Sequence, residues 1–387
     1  MLSTSAHRRS RILFFVATFL YWTSMYLYVP ILSVHAENLG ASMGLVGTVV
    51  GAYGLAQFLF RIPLGVWSDR IGARKPFILA GLAAAGLGAL GLGMSADPRW
   101  LVAWRAMTGV GAAAWVAFTV LFSSYFPPEK VTRAMSQVTF VSAVGQMSSS
   151  YAGGLIAQVW GWTAPFYVAV VLALLGIAAA AMMEEKPMPV RRSISAAELW
   201  RIGTVPLLLA VSTVAMLGSW TQWATVNGFT PVYAAGLGAS RADLGLLTTL
   251  MQLGYTVATV VSGFMAEKVG PRWTAMVGMG MQATGAVMVP MVQSIPLVAV
   301  TQLLGGAGRG LAYPLLMGLS IRSVRPSDRA TAMGVFQATY ALGMFAGPAS
   351  TGVIGDALGL TAVFGVAAAA SLVGVILVAA TVPGKRA

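Results

Sequence analysis

Long apolar runs recur along the whole chain, separated by short clusters of charged residues, Pro and Gly. Each run covers roughly 20 residues, enough to cross a hydrocarbon core of about 30 Å as a helix. The breaks predict six helices in the first half, over 12–34, 45–66, 77–94, 100–125, 134–159 and 163–183. Six more are predicted over 205–235, 244–265, 273–292, 295–321, 330–352 and 360–382. Between them, 184–201 is the longest non-apolar segment, with Pro187, Pro189, Arg191 and Arg192. The expected organisation is an N-terminal six-helix bundle over 1–183, a connector over 184–203 and a C-terminal six-helix bundle over 204–387. In class, this is an all-α membrane protein.

Composition agrees. Of 387 residues, 57% are hydrophobic and 9% charged, against about 25% charged in a soluble domain. The 45 glycines fall inside the apolar runs, where small residues let helices approach closely in lipid. Arg8, Arg9 and Arg11 precede the first run, which is too long for a signal-peptide core and reads as a membrane helix. With no cysteine and only His7 and His35, thiolate and histidine-rich metal centres are excluded, and no cofactor is expected.

Charge predicts orientation. With a cytoplasmic N-terminus, nineteen Lys and Arg fall in inner segments and only Arg99 and Arg241 in outer loops. This positive-inside bias places both termini in the cytoplasm. It also accounts for the net charge of +13, because charges scattered over short loops do not make a nucleic-acid-binding face.

Sliding the chain against itself by 198 positions brings identical residues together. Trp22-Thr23 meets Trp220-Thr221, and Leu39-Gly40-Ala41-Ser42 meets Leu237-Gly238-Ala239-Ser240. Gly65, Gly72 and Arg74 meet Gly263, Gly270 and Arg272; Gly145, Gly154, Gly161 and Phe166 meet Gly343, Gly352, Gly359 and Phe364. An even number of helices per repeat keeps both copies in one orientation. Such parallel repeats put a substrate site near the midplane, between halves that rock around it.

Between the second and third helices runs Gly65-Val66-Trp67-Ser68-Asp69-Arg70-Ile71-Gly72-Ala73-Arg74-Lys75. It resembles the signature loop of the major facilitator superfamily. A degenerate copy follows at Gly263, Glu267-Lys268, Gly270 and Arg272. The resemblance implies that Gly65, Asp69, Arg70, Gly72, Arg74 and Lys75 form a conformational latch between the halves. Arg105, with Gly109 and Gly111, resembles the family's fourth-helix motif and is implied to serve proton coupling; it also lies near enough to the outer boundary to snorkel. In appearance the chain is nearest the bacterial twelve-helix drug–proton antiporter branch. It departs from that branch in the fifth helix, where Gln146 stands in place of proline, and Gly347-Pro348 occurs in the eleventh helix instead.

Arg309, in the run Gly305 to Gly310, is expected near the centre of the tenth helix, facing a carboxylate, carbonyls or an anionic substrate. Its repeat equivalent lies near Ala112, so the duplication does not require it. No acid falls in the middle of a helix, which weakens both a cationic substrate and proton coupling through a central carboxylate. Glu37, His35 and Asp69 remain as titratable groups and read as loop residues. Trp22, Tyr26, Tyr53, Gln57, Trp115, Trp223, Asn227, Gln252, Tyr255, Tyr313, Gln337 and Tyr340 are the candidate cavity lining, apolar faces with polar edges. Pro30, Pro231 and Pro314 mark expected kinks.

Together these features predict a monomeric secondary transporter of a cell membrane, working by alternating access within the lipid bilayer. The first expectation for its small-molecule substrate is efflux of amphipathic compounds, with protons as the driving ion; the alternative is a carrier of organic anions. An enzyme is disfavoured: there is no HExxH, no Ser/His/Asp set and no pair of intramembrane acids.

Overall fold

The computed structural model describes residues 4–126, 130–185, 196–322, 324–325 and 328–384. Lys186, Pro187, Pro189, Arg191 and Arg192 of the expected connector, together with Glu129, Lys385 and Arg386, lie outside the described residues. Among the described residues the first half contains α1 (Thr4–Tyr26), α2 (Val29–Asn38), α3 (Met43–Ile71), α4 (Lys75–Met94), α5 (Pro98–Ala113), α6 (Trp115–Ser124), α7 (Val131–Trp160) and α8 (Ala164–Ala181). A short α9 (Ala196–Gly203) follows, within the expected connector. The second half contains α10 (Pro206–Gln222), a π-helical turn (Trp223–Phe229), α11 (Thr230–Gly236), α12 (Arg241–Val269), α13 (Pro271–Met288), α14 (Ile295–Arg322), α15 (Arg329–Leu358) and α16 (Leu360–Thr381).

Three pairs act as single rods: α1 with α2, α5 with α6, and α10 with α11 through the π turn. Twelve rods therefore cross the layer among the described residues, where the sequence predicts twelve helices. Nine of them are long and apolar enough by composition alone to span a membrane, among the described residues. The other three are α7, α13 and α15. Both described chain ends lie on one side, called here the termini face. The loops at 39–42 and 237–240 lie on the opposite, far face.

The prolines divide into two kinds. Pro30 and Pro231 sit in the first turns of α2 and α11, where a missing N–H leaves no bond unmade. The rod breaks just before each of them, at Leu27–Tyr28 and at the π turn. The kink expected at Pro314 does not break its helix: α14 runs continuously through it, as α3 runs through Pro63 and α15 through Pro348.

The repeated tetrapeptide is a repeated turn. Gly40 and Gly238 take φ of 88° and 87°, in the left-handed region where Gly is favoured. Gly40 N donates to Glu37 O at 2.8 Å and Gly238 N to Ala235 O at 2.9 Å. The serines that follow cap the next helices, Ser42 Oγ accepting from Leu45 N and Ser240 Oγ from Asp243 N.

On the far face the halves meet backbone to backbone. A Cβ on Gly51 would lie 2.8 Å from Phe345 O, and one on Gly245 would lie 2.7 Å from Ser150 O. Gly47 abuts Pro348 O, and Gly352 abuts Met43 O. Two cross-half caps join these seams at positions related by the 198-residue offset. Asp356 on α15 accepts from Met43 N and Gly44 N at α3's start, both at 2.8 Å. Gln158 Oε1 on α7 accepts from Arg241 N at α12's start at 3.1 Å, and Arg241 Nη1 donates to Ala157 O at 2.8 Å. Met43 corresponds to Arg241 and Gln158 to Asp356, so one contact is built twice.

Toward the termini face this packing is absent at the corresponding small residues. Gly65 meets only Val116 of its own half, and Gly263 and Gly334 have nothing within 4 Å beyond their own helices. A shallow surface depression is lined by Phe15 of α1 and Ser136, Gln137, Phe140 and Val141 of α7, all of the first half. Among the described residues, the close backbone approaches between the halves at these glycines fall toward the far face.

Gly154→Leu should wedge this seam, because its Cβ would sit 2.6 Å from Arg241 O and 2.9 Å from the Gly245 Cα. The chain has no cysteine, so a single Cys at the buried Ser150 gives labelling without background. Its reaction with a membrane-impermeant maleimide from the far side should rise in the double variant. Unchanged labelling would mean that glycine packing does not close this face.

Candidate functional site

Three arginines lie at membrane depth, each held by aromatic or neutral polar groups. Arg309, midway along α14, donates from Nη2 to Tyr340 Oη on α15 at 2.7 Å. Its guanidinium lies 4.8 Å from the Tyr255 ring on α12 and 5.6 Å from that of Tyr313. Tyr313 and Tyr340 touch with ring centres 5.0 Å apart.

Arg105 sits 4.4 Å over the Tyr53 ring and 5.7 Å from Tyr28, and donates from Nη1 to Thr108 Oγ1 at 3.3 Å. It is 1% exposed, so it does not snorkel toward the boundary as its position in the sequence would permit. Tyr53 in turn stacks on Trp223 of the second half, 5.3 Å between centres and 16° between planes. Arg61, on α3, is absent from the sequence candidates. Its Nη1 donates to Gln57 Oε1 at 3.0 Å. The signal is available in the sequence: a lone Arg four residues after Gln57 falls on the same helix face, inside an otherwise apolar run.

Among the described residues no Asp or Glu pairs with any of the three, whereas Arg74 pairs with Asp69 and Arg201 with Asp328. The chain's acids fall in loops or near helix ends, with Glu129 outside the described residues. Cation–π contacts return about 0.5–2 kcal/mol each, which offsets only part of the cost of a guanidinium away from water.

Beside this cluster, Trp22 packs on Trp115 at 5.1 Å and on Tyr26 at 5.8 Å, and Trp115 stacks on Tyr21. Tyr21 Oη donates to Gly111 O at 2.7 Å. Other candidates lie elsewhere. Gln252 donates to Gln146 O and to Ser150 Oγ, and so belongs to the seam between halves. Asn227 is buried on the π turn, and Gln337 is half-buried one turn before Tyr340. His35, expected in a loop, is instead buried in α2, 5.2 Å from the Phe166 ring, while Glu37 is exposed. A second polar space of about 20 Å³, lined by Thr221, Gln222, Gln282, Thr301 and Gln302, is large enough for one water.

The signature loop is held within its own half. Gly72 closes α3 in the left-handed region, its N–H donating to Ser68 O at 3.1 Å. Arg74 is buried, binding the Asp69 carboxylate and the Ser68 hydroxyl. Glu185, absent from the sequence candidates, accepts from Arg74 N and from Lys75 N at α4's start, a favourable place for a carboxylate. Lys75 Nζ donates to Ala181 O at 2.6 Å and Met183 O at 2.8 Å, tying the loop to the end of α8. Arg70 is exposed, and Gly65 packs at 3.8 Å from Val116. In the second copy Gly270 is extended in ψ (158°) rather than helical, yet Arg272 Nε still donates to Val382 O at the end of α16, at 2.7 Å.

The family description "Major Facilitator Superfamily" matches residues 14–219 and again 208–387. The inner membrane transport protein YajR of Escherichia coli is 36% identical over 40% of this chain and 34% of its own length. The multi-drug resistance efflux pump PmrA of Streptococcus pneumoniae is 24% identical over 89% of each chain. Among solved structures, the nucleoside transporter NupG superposes with a TM-score of 0.79 at 14% identity, covering 98% of this chain and 100% of that one. The human organic anion transporter MFSD10 superposes with a TM-score of 0.69 at 17% identity, covering 96% and 99%.

Glu185→Ala should leave two backbone N–H groups at the start of α4 without their acceptor, a loss of about 1–2 kcal/mol typical of a removed cap. In the neighbouring Glu184 the bonded groups are the backbone N and O, so Glu184→Ala is the control. Thermal unfolding in detergent should fall for Glu185→Ala and stay near the parent for Glu184→Ala. Equal melting of both variants would remove the cap from the account.

Proposed function

Because the chain belongs to the Major Facilitator Superfamily, we propose that it is an alternating-access carrier whose central site takes amphipathic organic anions. It is a multi-pass cell-membrane transporter of small molecules, and not an enzyme. The observation that carries the anion reading is the set Arg61, Arg105 and Arg309, packed on tyrosines and neutral acceptors and paired with no carboxylate among the described residues. An anion supplies the missing counter-charge, and the rings of Tyr26, Tyr255, Tyr313, Tyr340, Trp22 and Trp115 supply an apolar wall. This puts the organic-anion alternative ahead of neutral or cationic drugs.

Under the same reading Arg309 is the anion receptor, with Tyr340 orienting it, and Arg105 is the group whose environment changes as the halves rock. The rocking units are 1–183 and 204–387, joined by 184–203, in a monomer with both termini in the cytoplasm. Asp69, Arg70, Arg74 and Lys75, hinged at Gly65 and Gly72, engage the second half only as the cytoplasmic side closes. Export is favoured as the direction by PmrA, named as an efflux pump. Efflux of uncharged or cationic drugs is the second reading, supported by that relative and by the aromatic lining around Trp22 and Trp115.

Purified protein should be stabilised against heat by aromatic sulfonates and carboxylates more than by neutral or cationic compounds of equal size. Arg309→Ala should weaken that response roughly 10- to 100-fold in apparent affinity, the range for a lost hydrogen bond to a charged group. Stabilisation by cationic or neutral drugs that survives Arg309→Ala would favour the second reading and leave Arg309 a structural partner of Tyr340.

A further inference from the structure

The polar space inside the second half takes no part in the central site. It measures about 20 Å³ and lies where α10, the π turn, α13 and α14 meet. Here the α-helical ladder of α10 gives way to the wider π turn, an irregularity frequent at functional sites. Its polar lining is Thr221, Gln222, Thr225, Gln282, Thr301 and Gln302.

What these side chains offer the space is mainly oxygen. Thr225 Oγ1 donates to Thr221 O at 2.8 Å, Thr301 Oγ1 to Val298 O at 2.8 Å and Thr221 Oγ1 to Ala367 O at 2.9 Å. Each hydroxyl hydrogen is spent on a carbonyl, so lone pairs remain. Gln282 turns its Nε2 to Met279 Sδ at 3.6 Å. The Oε1 atoms of Gln222 and Gln282 are buried with no protein partner among the described residues. Both residues are deep inside, 7% and 4% exposed. One water has two hydrogens to give to these two amide oxygens and the Thr225 and Thr301 hydroxyl oxygens. A dehydrated cation engages all four at once.

The lining also limits the charge. No Asp or Glu is part of it among the described residues, so a divalent ion would be buried without a counter-charge. Neutral oxygens can instead replace the hydration shell of a monovalent ion. Arg309 lines a neighbouring space that shares only Gln282 with this one, and its Nη2 is engaged by Tyr340. We propose that the cavity binds one dehydrated alkali cation, sodium or potassium, through Gln222 Oε1, Gln282 Oε1, Thr225 Oγ1 and Thr301 Oγ1. The ion ties the end of α10 and the π turn to α13 and α14. The site stands apart from the anion reading, and neither depends on the other.

The test uses the full chain in detergent, in buffers of equal ionic strength made with sodium, potassium or choline chloride. Thermal unfolding is followed alongside equilibrium binding of radioactive sodium and of rubidium, which stands for potassium. An alkali ion should raise the melting temperature above that in choline and bind saturably, at about one per chain. Gln282→Met keeps the length of the side chain and removes its oxygen, and should abolish both effects. Gln282→Glu adds a counter-charge and should lower the half-saturating concentration at least about tenfold. Saturation by sodium alone or by rubidium alone names the ion. Equal melting in all three salts, with no saturable binding, means that the cavity holds water only and overturns the proposal. Binding that persists in Gln282→Met at the parent's affinity puts the ion elsewhere and overturns it as well. Should Gln282→Met fail to fold, Gln222→Met carries the same decision.

Discussion

An arginine at membrane depth must find something to stand on, and this chain places three there without a carboxylate among the described residues. Much of the interior is arranged around that constraint. Tyr53 and Tyr28 lie against Arg105, Tyr255, Tyr313 and Tyr340 surround Arg309, and Gln57 holds Arg61. Aromatic faces and neutral acceptors hold a cation in place while leaving its charge uncompensated. A structural ion pair would have hidden the charge from any ligand. These arginines are held in place without a neutralising partner among the described residues, and the proposed anion reading rests on that combination.

The same chain handles its other cations differently. At the termini face Arg74 takes Asp69 and Ser68 as partners, and Lys75 takes the last carbonyls of α8. At the far face Arg241 donates to Ala157 O and lies 4.5 Å from the Trp162 ring. Each of these helps tie one helix end to another. Carboxylates and helix ends thus hold helices in register at the two surfaces, and the middle is left with positive charge and rings.

Much of this is legible in the sequence. The spacing of apolar runs predicts every membrane rod, because a helix must satisfy its backbone internally in lipid and little else fits. The 198-residue offset carries more than fold: it relates the turns at Gly40 and Gly238 and the caps at Asp356 and Gln158. Arg309 is visible as a charge inside a glycine-rich run. Arg61 breaks its run just as plainly, but it lies close to the signature loop's basic cluster and is easily read as part of it. Glu185 cannot be found by pattern, because its partners are backbone N–H groups more than a hundred residues earlier. The inward burial of His35 and Arg105 depends on which way their helices turn, and an apolar run without a strong polar stripe does not specify that.

The glycines on α3 have a mechanical consequence. Gly47, Gly51 and Gly54 recur along one face and lie directly on the backbone of α15 at Pro348, Phe345 and Met344. Helices usually lock through interdigitated side chains, ridges in grooves, and can shift only by lifting one set of teeth over another. Here one surface has no teeth. Rolling α3 on α15 need not unpack and repack a side-chain layer at each small displacement, so friction along this contact stays low while its distance of closest approach stays fixed. The seam behaves as a smooth bearing, and the resistance to motion is left to the few polar contacts at its rim.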